Sequence, residues 1–229
     1  YEENHDGMTT STAIDNIGAN IDNGQILYVA PVQDMGNGFT LTAMAEFAPS
    51  GSDTAVYDGG TAAATAYGTG MGIAGVISGN GLTMGLYANE IDTANSVTNT
   101  DNSTITGYVN YAIGPVSLGV QLAETNRGIV GGAETAATAK TVAAATGIFE
   151  TEKMSIAFQV NDDLSVSYGI LEETYDATTS VTMESKSYQA AYSMGAMSIS
   201  AYHTTTDNPD WVSTAKTEDI NEIALNFAF

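Results

Sequence analysis

The chain has 229 residues, with five Lys and Arg against 27 Asp and Glu and a formal net charge of −22, a balance that repels nucleic acid and attracts cations. It contains no cysteine, which removes disulfides, thiolate metal sites and cysteine nucleophiles from consideration. No stretch approaches the ~18 uninterrupted apolar residues of a membrane-crossing helix, so a soluble protein and a membrane β-barrel both remain open.

Residues 1–24, "YEENHDGMTTSTAIDNIGANIDNG", carry Glu2, Glu3, Asp6, Asp15 and Asp22 and no Lys or Arg. No basic, apolar leader precedes them, so any signal peptide is expected to have been removed. From there on the composition favours strands, with 24 Gly, 12 Tyr and abundant Thr, Ser and Val. Period-2 alternation divides the chain into about eleven segments of roughly 7 to 12 residues. With soft boundaries they are 25–32, 38–48, 67–77, 80–90, 103–113, 115–124, 151–160, 162–174, 184–194, 196–204 and 219–229.

The links between these segments are alternately short and long. "QDMGN" precedes a link from Pro49 to Ala66; "SGN" precedes Ile91 to Asn102; the turn at Gly114-Pro115 precedes Thr125 to Glu150; "ND" precedes Tyr175 to Met183; and Gly195 precedes Thr205 to Glu218. Tight turns therefore gather at one end of a meander and long loops at the other, the asymmetry of an up-and-down outer-membrane barrel. Pro31, Pro49, Pro115 and Pro209 fall at strand ends or in loops, where no ladder hydrogen bond is lost. Residues 132–147 are rich in Ala and Thr and are read as a candidate short helix in the longest loop, which Ala favours and Thr disfavours.

The faces agree with a barrel. Val116, Leu118, Val120 and Leu122 oppose Ser117, Gly119, Gln121 and Ala123; Met154, Ile156, Phe158 and Val160 oppose Ser155, Ala157 and Gln159; Leu164, Val166, Tyr168 and Ile170 oppose Ser165, Ser167 and Gly169. The polar face consists of Ser, Thr, Gly, Asn and Gln, which suits a wetted, narrow interior. At the end of the chain Ile223, Leu225, Phe227 and Phe229 share the side that would meet lipid. Tyr28, Phe39, Phe47, Tyr67, Tyr111, Phe158, Tyr168, Tyr188 and Tyr192 are candidates for interfacial girdles. A soluble β-sandwich also alternates, but its apolar side is its core.

The alternating final strand that ends in Phe227 and Phe229 resembles the C-terminal signature of bacterial outer-membrane barrels, which in that family is read by the barrel-assembly machinery. The wider pattern, with "NGQILYVAP" from Asn23 to Pro31 and "GFTLTAMAEFAP" from Gly38 to Pro49, is similar to Gram-negative general porins, particularly the alphaproteobacterial type. The resemblance implies a transmembrane antiparallel β-barrel in the outer membrane, a homotrimer, and contact with membrane lipid and lipopolysaccharide. On the family's sixteen-stranded plan these would be the last eleven strands, with about five upstream; mass analysis of the native polypeptide tests this. The alternative is one miscounted strand in a smaller complete barrel.

The resemblance also makes 1–24 the counterpart of the family's constriction loop and 25–229 the barrel wall. Glu2, Glu3, Asp6, Asp15 and Asp22 would then stand within roughly one Debye length of a passing ion and favour cations; without that role they form a solvated acidic surface. Alternation puts Glu46, Glu173 and Glu222 on the lumen face, with Lys153 as the opposing charge. It adds Tyr87, Asn89, Tyr108, Asn110, Gln121, Gln159, Gln189, Tyr202 and Asn226 as neutral lining groups. The family's basic cluster has no counterpart here: Arg127, Lys140, Lys153, Lys186 and Lys216 are scattered.

No catalytic reading gains support. His5 and His203 lie far apart and fit no metal spacing, and the chain has no G-x-S-x-G elbow, P-loop or dinucleotide fingerprint. Gly68, Gly70 and Gly72 share a strand face and would make room in a crowded lumen. "DTANSVTNTDNST" and "TTTDNPDWVSTAKTED" offer oxygen ligands for weak calcium binding, without the spacing of a dedicated loop, and divalent cations could bridge acidic loops to lipopolysaccharide. The expectation is a passive pore with no cofactor, set against a soluble or surface-layer β-rich structural or adhesive protein stabilised by calcium. A barrel enzyme would need a Ser-His pair that His203 does not offer.

Overall fold

The computed structural model describes residues 26–48, 67–93, 102–127, 148–176 and 180–227. The acidic segment 1–24, the candidate helix at 132–147 and Phe229 lie outside the described residues. Among these residues twelve strands follow one another: β1 (Ile26–Val29), β2 (Gln33–Gly36), β3 (Phe39–Ala48), β4 (Tyr67–Gly79), β5 (Leu82–Thr93), β6 (Asn102–Ile113), β7 (Val116–Arg127), β8 (Ile148–Gln159), β9 (Leu164–Asp176), β10 (Val181–Met194), β11 (Met197–Asp207) and β12 (Glu218–Phe227). They form one sheet in which β3 to β12 pair in chain order and β1 and β2 both pair β3. Every pairing is antiparallel.

The first expected strand, 25–32, is shorter than expected. β1 stops at Val29, and β2 resumes the pairing with β3 at Gln33. Pro31 lies in the gap; its nitrogen has no hydrogen to give to a ladder. The expected link "QDMGN" is strand β2 followed by a turn of only two residues, Asn37 (φ 54°) and Gly38 (φ 80°). Asn80 (φ 51°) and Gly81 (φ 80°) repeat that turn between β4 and β5. Positive φ at both central residues matches the right-handed twist of the flanking strands, so these hairpins close without spare residues. At Gly81 a side chain is excluded by space as well: a Cβ there would lie 2.3 Å from the carbonyl oxygen of Ala112.

At the other end the strands outrun their expected limits, reaching Thr93, Arg127 and Asp207, while β8 and β10 start earlier, at Ile148 and Val181. Polar residues point outward in these extensions, among them Asn126, Glu150, Asp176, Thr182, Thr205 and Asp207. Where polar groups replace apolar ones on the outward side, the alternation that marks the band ends although the ladder continues.

The burial pattern is the reverse of a sandwich core. Ile73 is 66% exposed, Leu86 58%, Met154 52%, Ile223 78% and Phe227 59%. Buried positions instead include Asn89, Thr104, Thr106, Thr151, Lys153, Glu173, Ser185, Ser187, Thr204 and Thr206. Leaving one large apolar side chain in water forgoes roughly 1.5–3 kcal/mol, so a band of them across the sheet needs an apolar surrounding. Near the tight turns this outer face carries Phe39, Tyr111, Phe158, Tyr192 and Phe227, ring-bearing residues suited to a membrane interface. Tyr168 and Tyr188 pair within the band, their ring centroids 4.7 Å apart.

Candidate functional site: the polar inner face

Register brings Glu46, Tyr87, Asn89, Tyr108, Asn110, Gln121, Lys153, Gln159, Glu173, Gln189, Tyr202, Glu222 and Asn226 onto the same face of the sheet, opposite the apolar band. One inner row runs Gly85, Tyr108, Gln121, Lys153, Leu171, Ser185, Thr206 from β5 to β11. Another brings Gln189, Tyr202 and Glu222 side by side on β10, β11 and β12.

On β3 to β7 the larger inner side chains lie over glycine. Glu46 is directly opposite Gly72 in register, and a Cβ at Gly72 would stand 2.3 Å from Glu46 Oε1. A Cβ at Gly85 would stand 2.3 Å from Tyr108 Cε1, and one at Gly119 would be 2.8 Å from both Asn110 Oδ1 and Ser155 Oγ. These glycines let polar side chains fold flat against the wall. Of the three glycines expected to share a face, Gly70 and Gly72 both pair inward-facing residues. Tyr87 Oη donates to Glu46 Oε1 at 2.7 Å.

The β8–β11 wall is more tightly packed. Thr151 Oγ1 donates to Glu173 Oε2 at 2.8 Å, and the Glu173 carboxylate is the opposing charge for Lys153. Both are buried, Lys153 at 6% exposure and Glu173 at 2%. Ser185 and Thr206 share a hydrogen bond of 2.7 Å, and Thr204 donates to Ser187 at 3.0 Å. Tyr202 donates to Glu222 Oε2 at 2.9 Å. Among the described residues Glu46, Glu222 and Glu218, which pairs Thr206 on the same face, are further inward carboxylates. Gln159 has a different task, because its amide donates to the carbonyls of Asn161 (2.6 Å) and Leu164 (3.3 Å) and ties the β8–β9 turn.

Sequence reasoning missed the apolar cluster at the long-loop end of this face. Phe149, Tyr175, Leu171 and Met183 are buried there, and Trp211 from the β11–β12 connection is 1% exposed among them. Phe149 stacks on Tyr175 at 4.9 Å and meets Trp211 edge-on at 5.2 Å. Phe149, Tyr175 and Met183 fell in segments expected to be links, and nothing in "NPDW" indicates that the loop turns inward. His203 faces outward, 2.9 Å from Asn221 Oδ1 and 3.2 Å from Thr205 Oγ1, in a polar rim with no serine partner. No group of three or more His, Asp or Glu among the described residues is arranged to hold a metal ion.

No protein-family model matches the chain, and no curated protein matches it in sequence. Solved structures do match. One is a porin, 15% identical, with a TM-score of 0.59 over 89% of this chain and 60% of its own. Another is the outer membrane channel DcaP of Acinetobacter baumannii, 10% identical, with a TM-score of 0.57 over 96% of this chain and 69% of its own. The chain thus has the all-antiparallel β-barrel fold of the porins, as the sequence resemblance implied, and spans 60% of the length of the first of these structures.

Proposed function

We propose that this chain forms part of the wall of a water-filled outer-membrane channel through which small hydrophilic solutes and ions diffuse passively. The observation that carries the reading is the sheet's inverted polarity, with an apolar face left exposed and a face of Thr, Ser, Tyr, Asn, Gln and Glu turned inward. Lipid satisfies the first and water the second. A lipid-facing wall also needs partners for the backbone groups of its edges. Among the described residues those edges are β1 with β2, and β12; we assign their partners to strands beyond those described. In this reading Phe227 and Phe229 serve assembly, and the protein is a homotrimer in contact with lipopolysaccharide.

We further infer a preference for cations. Its support is the lining charge, Glu46 and Glu222 on the inner face with Glu173 as the charge opposing Lys153, together with the excess of 27 acidic over five basic residues. Glu2, Glu3, Asp6, Asp15 and Asp22 would add to this field as a constriction segment. The test is the native full-length protein in a planar lipid bilayer under a KCl gradient. Discrete conductance steps with a cation-selective reversal potential are expected. Steps with anion preference would remove the charge argument alone, and silence from protein shown to be folded and inserted would remove the channel.

A further inference from the structure

The connection between β11 and β12 does not extend away from the rim. After Asp207 the chain turns at Asn208, which adopts a left-handed conformation (φ 49°), and forms a single 3-10 turn, Pro209–Trp211. Asn208 Nδ2 donates to the carbonyl of Thr182 on β10 at 2.8 Å, and Trp211 Nε1 donates to the carbonyl of Glu173 on β9 at 3.1 Å. The indole then reaches Phe149 on β8. The turn thus lies against β10, and from there the indole reaches inward to β9 and β8.

Trp211 also holds a positive φ of 54°, a conformation that is costly for a bulky side chain and persists only where the surroundings fix it. Those surroundings are a nearly complete burial of the largest apolar side chain in the described residues and a satisfied indole N–H, which together outweigh the strain. The level is the channel mouth: outward residues of β9 at this height are Glu172 and Thr174, beyond the apolar band that ends at Ile170.

We infer that the 208–217 connection is a size-determining element of the channel and that Trp211 is the positioning residue that holds it across the mouth. This rests on the channel reading above. Loops at barrel rims ordinarily gain little by folding inward, since their polar backbone is well solvated outside. Here an aromatic anchor and two strand carbonyls fix the fold over the β8–β10 wall, so the loop takes cross-section away from the passage.

The test uses the full-length protein and two readouts. Trp211→Ala should raise single-channel conductance roughly 1.2- to 2-fold, as ion flow follows the open cross-section, and should admit larger uncharged polyethylene glycols than the parent. A folded Trp211→Ala barrel with parental conductance and exclusion limit would overturn the inference. If the variant fails to fold, the Trp211→Phe difference fluorescence of the parent decides: blue-shifted emission shielded from acrylamide is expected, and exposed, readily quenched emission would contradict docking. A parent protein that never conducts would instead reject the channel reading, whatever Trp211 does.

Discussion

Tyr87 donates to Glu46 Oε1 at 2.7 Å across β4, where the residue facing Glu46 is Gly72. The pair lies flat because Gly72 has no side chain; a Cβ there would fall 2.3 Å from the same carboxylate oxygen. Gly72→Ala should therefore lift the carboxylate off the wall and break its bond to the phenol. The expected result is a reversal potential shifted further toward cations, with Glu46→Gln shifting it the other way. An unchanged potential in both variants would show that Glu46 does not act on permeating ions.

Gly85 and Tyr108 make the same arrangement with a larger side chain, Tyr108 Cε1 occupying the space of a Gly85 Cβ at 2.3 Å. Gly85→Val should drive the ring into the interior and lower single-channel conductance. Removing the ring as well, in Gly85→Val with Tyr108→Ala, should restore it. Failure of the second change to rescue the first would mean that the loss came from the backbone.

The two faces should differ in what they tolerate. Ile156 lies in the middle of the outward run Met154, Ile156, Phe158, while Ser155 points inward. Ile156→Arg is expected to cost about 2–4 kcal/mol, the range for a cation at the midplane of a barrel's lipid face, whereas Ser155→Arg should have little effect on stability. Urea unfolding in lipid vesicles measures both, and equal costs would argue against lipid on the Ile156 side.

Above the band, carboxylates face one another across strands: Glu124 opposes Glu150, and Glu172 lies between Glu152 and Glu184. Like charges directly opposite in a sheet repel, and only Glu184 has a described ion pair, with Lys186. Glu172→Gln should accordingly stabilise the rim by roughly a few tenths of a kcal/mol at low salt, an advantage that fades as salt screens the repulsion. A destabilised variant would mean that Glu172 has an attractive role the register does not reveal.

The wall was largely legible because an antiparallel barrel sets its two faces on alternate residues. Val116 to Leu122 and Met154 to Phe158 could be assigned a face from sequence, and the inner set from Glu46 to Asn226 followed by parity. The signal failed where its cause was absent. Asn126, Glu150 and Asp207 extend strands beyond the apolar band, so their segments read as loops. Pro31 interrupted a run that otherwise alternated, and the Asn-Gly turns were tighter than their polar neighbours suggested. Trp211 stayed hidden because an isolated ring in a Pro-Asp-Trp turn has no periodicity; only the tertiary meeting with Phe149 and the Glu173 carbonyl gives it a place.

If the polar face meets water while the apolar face meets lipid, cysteine accessibility should alternate along a strand. With no native cysteine in the chain, single substitutions Met154→Cys, Ser155→Cys, Ile156→Cys, Ala157→Cys and Phe158→Cys can be probed in native membranes with a charged, impermeant thiol reagent. Cysteines at 155 and 157 should react and those at 154, 156 and 158 should not. The opposite alternation, with 154, 156 and 158 open to the aqueous reagent and the inner positions protected, would contradict lipid on the outer face.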